Sequence, residues 1–138
     1  MDNETVVRNF LQKIWNEKHL ESISQYVCSE YTIYLDAGDP WENKTLNNEE
    51  YKARLYHSFN SFPDIHFAIQ TIISDNNCVT ITWIMTGTNL GNIGEIAATK
   101  KAIRTNGATF YYLKEGKVCG HSQVFDRTTV MKQLGFGH

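Results

Sequence analysis

No apolar run in this chain approaches the ~18 residues that a membrane helix needs, so no segment reads as a membrane span. Basic charge is scarce and scattered. Lys and Arg number 13 against 15 Asp and Glu, leaving a net charge of −2, and neither a nucleic-acid footprint nor a polybasic membrane face is expected. The acidic start, Met1-Asp2-Asn3-Glu4, has no apolar leader core, and the expected location is cytoplasmic. Cysteine is sparse: Cys28, Cys78 and Cys119 lie far apart, without metal-ligand spacing. Three reduced, mostly buried thiols are expected, rather than a disulfide or a zinc site. The five histidines form no His-x-x-x-His or Glu-x-x-His pair, so a dedicated metal site is not expected. Repeats, low-complexity stretches and linkers are lacking, and residues 1–138 read as one domain.

Aromatic residues, in contrast, are plentiful: three Trp, seven Tyr and seven Phe make up 12% of the chain. They suffice to fill a core or to line a cavity. Val6, Val7, Phe10, Leu11, Ile14 and Trp15 recur at helical spacing, with Arg8, Asn9, Gln12, Lys13 and Asn16 opposite. That pattern predicts an amphipathic helix from about Asn3 to Lys18. Leu20, Ile23, Tyr26 and Val27 predict a short second helix. Tyr31 to Leu35 reads as a strand stopped by Asp36-Ala37-Gly38-Asp39-Pro40. Trp41 to Thr45 reads as loop. Asn47 with Glu50 is a capping-box pair, and a third helix follows from about Asn48 to Phe59.

From Ile65 the period becomes two. Ile65, Phe67 and Ile69 alternate with polar or small residues up to a turn at Ser74-Asp75-Asn76-Asn77. Val79, Ile81, Trp83 and Met85 then alternate with Thr80, Thr82, Ile84 and Thr86. A strand through Ala102 to Leu113 turns at Lys114-Glu115-Gly116-Lys117 into a last strand, Val118 to Phe125. Helices first and a strand meander after predict an α+β fold: a cone-shaped α+β barrel. Three N-terminal helices would pack on a curved antiparallel sheet, followed by a short C-terminal helix. The space between helices and sheet is where a small-molecule ligand would bind.

Several short motifs keep a recognisable order: Phe62-Pro63-Asp64-Ile65-His66-Phe67, Trp83-Ile84-Met85-Thr86-Gly87-Thr88, Gly116-Lys117-Val118, Asp126, and Gln133-Leu134-Gly135. In this order the chain resembles the SnoaL-like polyketide cyclases of the nuclear-transport-factor-2-like superfamily. The resemblance implies the α+β cone and an intramolecular aldol condensation run without a metal or organic cofactor. An aspartate near the end of the last strand would be general acid/base, which falls on Asp126. The chain differs from the usual pattern at Gly120 and Ser122, where Glu and Trp are common, and at Asn89, where His is common. Non-catalytic small-molecule binding or dimerisation, and isomerase or dehydratase chemistry on the same fold, are the alternatives.

Asp126 also precedes Arg127-Thr128-Thr129-Val130 as a helix N-cap would, flanked by Phe125 and Val130 at staple positions. A carboxylate bonded to helix amides is held ionised, the wrong direction for a base. Catalytic acid and cap therefore stand as two readings. Tyr112, His121, Trp83, Trp15, Tyr34 and Phe59 are the candidate substrate-binding residues. The weakly polar strand face of Thr80, Thr82, Ile84 and Thr86 predicts a homodimer formed through the sheet.

Overall fold

The stripe Val6, Val7, Phe10, Leu11, Ile14 and Trp15 is buried, as its spacing requires. The computed structural model describes residues 1–136. Helix α1 (Asn3–Phe10) starts on the Asp2 side chain, which accepts from Thr5 N. It does not run straight to Lys18: Leu11–Asn16 widens into a π-helical turn, and Lys18 adopts a left-handed conformation. A short turn of helix at Leu20–Ser22 leads to α2 (Ile23–Tyr26) and β1 (Val27–Ile33). The segment expected to be loop contributes a short strand, β2 (Lys44–Leu46), paired with β1. Helix α3 (Asn48–Ser61) begins with the expected capping box: Asn47 accepts from Glu50 N, and Glu50 accepts from Asn47 N.

Strands β3 (His66–Asp75), β4 (Cys78–Thr88), β5 (Ala102–Lys114) and β6 (Lys117–Phe125) form the meander, and α4 (Arg127–Gln133) closes the fold. The turn joining β5 and β6 needs two positive φ angles, which Glu115 and Gly116 adopt. The sheet order is β2-β1-β6-β5-β4-β3. The expected α+β cone is present, with two amendments. The sheet is curved but not closed, and it is mixed, because β1 pairs with β6 in parallel. Local periodicity specifies strands but not the direction in which the first meets the last.

Two features of β6 position the site. Tyr112 opposes Gly120 and Leu113 opposes Val118, so Cys119 is the extra residue of a bulge. The bulge lets Val118 and His121, three residues apart, both face inward. Second, β1 lies tight against β6 at Gly120. A Cβ on Gly120 would come 2.6 Å from Thr32 O, so the close approach requires glycine.

The expectation of three reduced thiols is overturned for two of them. Cys28 on β1 and Cys119 on β6 form a disulfide with Cα atoms 4.9 Å apart, and Cys78 is free. A separation of 91 residues hid their proximity, which only the β1–β6 pairing creates.

Among the described residues, no helix is long and apolar enough to cross a membrane.

Candidate functional site

Beyond Ile33 the chain stays hydrogen-bonded to β6: Tyr34 N donates to His121 O, and Gln123 N donates to Leu35 O. The next residue, Asp36, is thereby delivered beside the side chains of His121 and Gln123. It is 1% exposed, and its carboxylate accepts from four side chains. These are His121 Nε2 at 2.9 Å, Arg127 Nη2 at 3.0 Å, Gln123 Nε2 at 3.2 Å and Arg54 Nη2 at 3.3 Å. Arg54 comes from α3 and is 7% exposed; it also binds Asp39 at 2.9 Å. Arg127 clamps the same loop from the other side, donating from Nε to Ala37 O and stacking its guanidinium over Phe125.

With a neutral imidazole, the donors and acceptors permit one arrangement of protons. An ionised carboxylate only accepts, so His121 Nε2 carries the hydrogen, and Nδ1 is left to accept from the Tyr31 hydroxyl at 2.6 Å. Trp83 Nε1 only donates, and it donates to Thr109 Oγ1 at 2.8 Å. Thr109 then donates to Gln123 Oε1 at 2.8 Å, which turns the Gln123 amide nitrogen toward Asp36. Two chains of hydrogen bonds, Tyr31–His121 and Trp83–Thr109–Gln123, converge on Asp36.

Burial alone would raise the Asp36 pKa. The His121 hydrogen bond and the charges of Arg54 and Arg127 outweigh it and hold the group below its ordinary value. Burial pushes His121 down, despite the opposing pull of Asp36, and the imidazole is neutral. Burial raises Tyr31 well above the usual phenol value, and raises Tyr51 to about 12. Asp36 is therefore a fixed anion, His121 a neutral base backed by it, and Tyr31 a phenol that stays protonated unless His121 takes its proton.

This assembly borders a partly open cavity of about 110 Å³. Tyr31, Tyr51, Arg54, Tyr111, His121 and Gln123 are on its polar side, and Leu11, Trp15, Ile65, Phe67, Trp83 and Met85 on its apolar side. The Arg54 Nε hydrogen is buried without a partner among the described residues. A donor stranded in this way costs about 1–3 kcal/mol. No cluster of three or more metal-ligating side chains occurs among the described residues.

His121, Trp83 and Trp15 line the cavity. Phe59 stands behind the wall, edge-on to Trp15. Tyr34 and Tyr112 lie on the outer face, edge-to-face with each other, and Tyr112 donates to Ser122. Asp126 is exposed and outside the cavity. Its carboxylate accepts from Thr129 N at 2.9 Å and from the Thr129 hydroxyl, and those bonds lower its pKa. It caps α4. The carboxylate that lines the cavity is Asp39, and Asp36 stands behind His121 and Arg54.

Asp36, Tyr31, Arg54, Tyr111 and Gln123 were not among the candidates. Asp36 sat in a run of turn formers and read as one of them. Arg54 did carry a signal, a cation on the same helical stripe as Tyr51, Leu55 and Ser58. Tyr111 was hidden because both faces of β5 are aromatic or apolar, so alternation could not choose between Tyr111 and Tyr112.

The model of the SnoaL-like polyketide cyclase family matches residues 5–134. A proposed polyketide cyclase from Acidithiobacillus ferrooxidans superposes with a TM-score of 0.90 at 34% identity, over 96% of this chain and 94% of that one. A proposed SnoaL-like polyketide cyclase from Jannaschia sp. CCS1 gives 0.84 at 14% identity, over 99% and 93%. IdmH, a proposed polyketide cyclase from Streptomyces antibioticus, gives 0.81 at 18% identity, over 99% and 100%. The last two are similar in fold alone. No curated protein matches the chain.

Proposed function

Since the chain belongs to the SnoaL-like polyketide cyclase family, we propose that it is a cofactor-independent acid/base catalyst acting on a small, mostly apolar carbonyl compound held in the cavity. The observation that carries this reading is the buried chain Tyr31–His121–Asp36 bordering a partly open, largely aromatic space. A proton leaves the carbon next to the substrate carbonyl for the Tyr31 oxygen as the phenol proton passes to His121 Nδ1. The resulting imidazolium is stabilised by Asp36. Charge developing on the substrate oxygen is met by the Tyr111 hydroxyl. The enolate carbon then attacks a second carbonyl in the same molecule, and the relay runs backward to protonate the new alkoxide. Asp36 itself moves no proton.

Size limits the substrate. A dry cavity of about 150 Å³ suffices for benzene, so a space of about 110 Å³ admits a reacting group no larger than one small ring.

The test is deuterium wash-in from heavy water into a panel of small 1,3-dicarbonyl compounds, followed by NMR. Wild type catalyses exchange, and Tyr31→Phe or His121→Gln slows it about 10²-fold or more while remaining folded. Rates unchanged in both variants reject the relay. Saturable binding without exchange by wild type favours the binding-module alternative.

The expected homodimer belongs to the same proposal. Its support is the outer sheet face, which exposes Ile73, Phe110, Tyr112 and Val124.

A further inference from the structure

We propose that Cys28 and Cys119 form a thiol–disulfide exchange site for low-molecular-weight thiols, and that its redox state governs how firmly β6 is held beneath His121. The proposal does not rest on the acid/base reading. Both cysteines are half-buried. They lie in an open surface depression of about 460 Å³ that also contains Ser24, Glu30, Lys114 and Lys117. Solvent and a small thiol therefore reach the sulfurs without unfolding, and the two ammonium groups of the depression are balanced by the carboxylates of Glu30 and Glu115.

The bond also lies where the backbone ladder is weakest. Between Val27↔Val118 and Thr32↔Gly120, β1 advances five residues while β6 advances two, so regular register is lost across that interval. Cys119 is the unpaired bulge residue of β6. On the β1 side, Cys28 O accepts from Asn48 Nδ2 of α3 at 3.1 Å, which ties that strand down. The covalent link thus joins a fixed strand to a loosely held bulge, and His121 follows two residues later.

The chemistry balances. A thiolate attacks one cysteine sulfur, the Cys28–Cys119 bond breaks, a mixed disulfide forms, and the other cysteine leaves as a thiolate. A second thiol attacks the mixed disulfide and releases the oxidised dimer of the reagent. Two external thiols are oxidised as the protein disulfide gains two electrons. The reduced Cys119 thiol has an acceptor in place, Lys117 O at 3.6 Å.

The experiment poises the whole protein across a series of reduced and oxidised glutathione mixtures, traps it with acid and an alkylating agent, and weighs its proteolytic peptides. A peptide linking Cys28 to Cys119 is expected in oxidised buffer. It should disappear in one two-electron transition while circular dichroism shows the fold intact and Cys78 takes no part. The proposal is overturned if the linked peptide never forms, or if it resists excess thiol until the protein is denatured. In a Cys78→Ser background, Cys28→Ser and Cys119→Ser each leave one cysteine, and uptake of one glutathione by either supports accessibility; uptake by neither refutes it. Coupling to the site is read from the His121 imidazole NMR signals, expected to differ between the two redox states. Superimposable signals would remove the second half of the proposal.

Discussion

Replacing Asp36 by Asn tests the centre of the site with almost no change in shape. One negative charge is lost from the meeting point of His121, Gln123, Arg54 and Arg127, and an NH₂ is placed where four donors already point. Breaking a buried charge pair by removing one partner costs about 3–5 kcal/mol. The lower end applies here. Arg54 keeps Asp39 at 2.9 Å, and Arg127, whose side chain is 39% exposed, can turn to water. A loss of about 3 kcal/mol corresponds to a fall in Tm of roughly 10 °C for a domain of this length. It leaves a protein of ordinary stability folded. Urea unfolding measures the loss. Deuterium wash-in, run below the new transition, is expected to fall about 10²–10⁴-fold, because His121 loses the anion that fixes its tautomer and stabilises its protonated form. A loss under about 1 kcal/mol with a wash-in rate within about twofold of wild type would refute both the charge-centre and the relay reasoning.

Stability should also fall with acid in two stages. His121 and Asp36 each bind a proton less readily folded than unfolded, so unfolding takes protons up. The first loss begins as pH drops below the ordinary histidine value of about 6.5, and the second below the ordinary aspartate range. His121→Gln should abolish the first stage in urea titrations, and its persistence would assign it to another group. Asp126→Ala should lower Tm by removing the α4 cap yet leave deuterium wash-in unchanged; a collapse of wash-in in folded protein would restore Asp126 as the catalytic acid. Gly120→Ala should cost about 1–3 kcal/mol by pushing β1 away from β6, read by chemical unfolding. Light scattering at micromolar concentration should give twice the 15.9 kDa chain mass if copies pair through the sheet, and a clean monomer would reject that pairing.

Much was decided by the chain locally. The apolar stripe of α1, the Asn47–Glu50 capping box, the alternation in β4 and the Glu115-Gly116 turn each depend on residues a few positions apart, so their outcome is legible without a fold. The cap role of Asp126 is of the same kind, since its partner Thr129 is three residues away. The order of those elements and their short motifs was enough for the family.

The site was decided elsewhere. Asp36 and His121 are 85 residues apart, and Tyr31 and His121 are 90 apart. They meet because β1 runs parallel to β6, a pairing between the first and last long strands that no local pattern specifies. The Cys119 bulge turns His121 inward, and the same pairing brings Cys28 to Cys119. Burial then converts these neighbours into chemistry. Away from water, one carboxylate among four donors becomes a fixed anion, and the histidine beside it a neutral base. Sequence determined which elements form and to which family they belong. Tertiary structure decided which acid stands behind the cavity's histidine, because long-range strand pairing and desolvation exist only once the sheet is assembled.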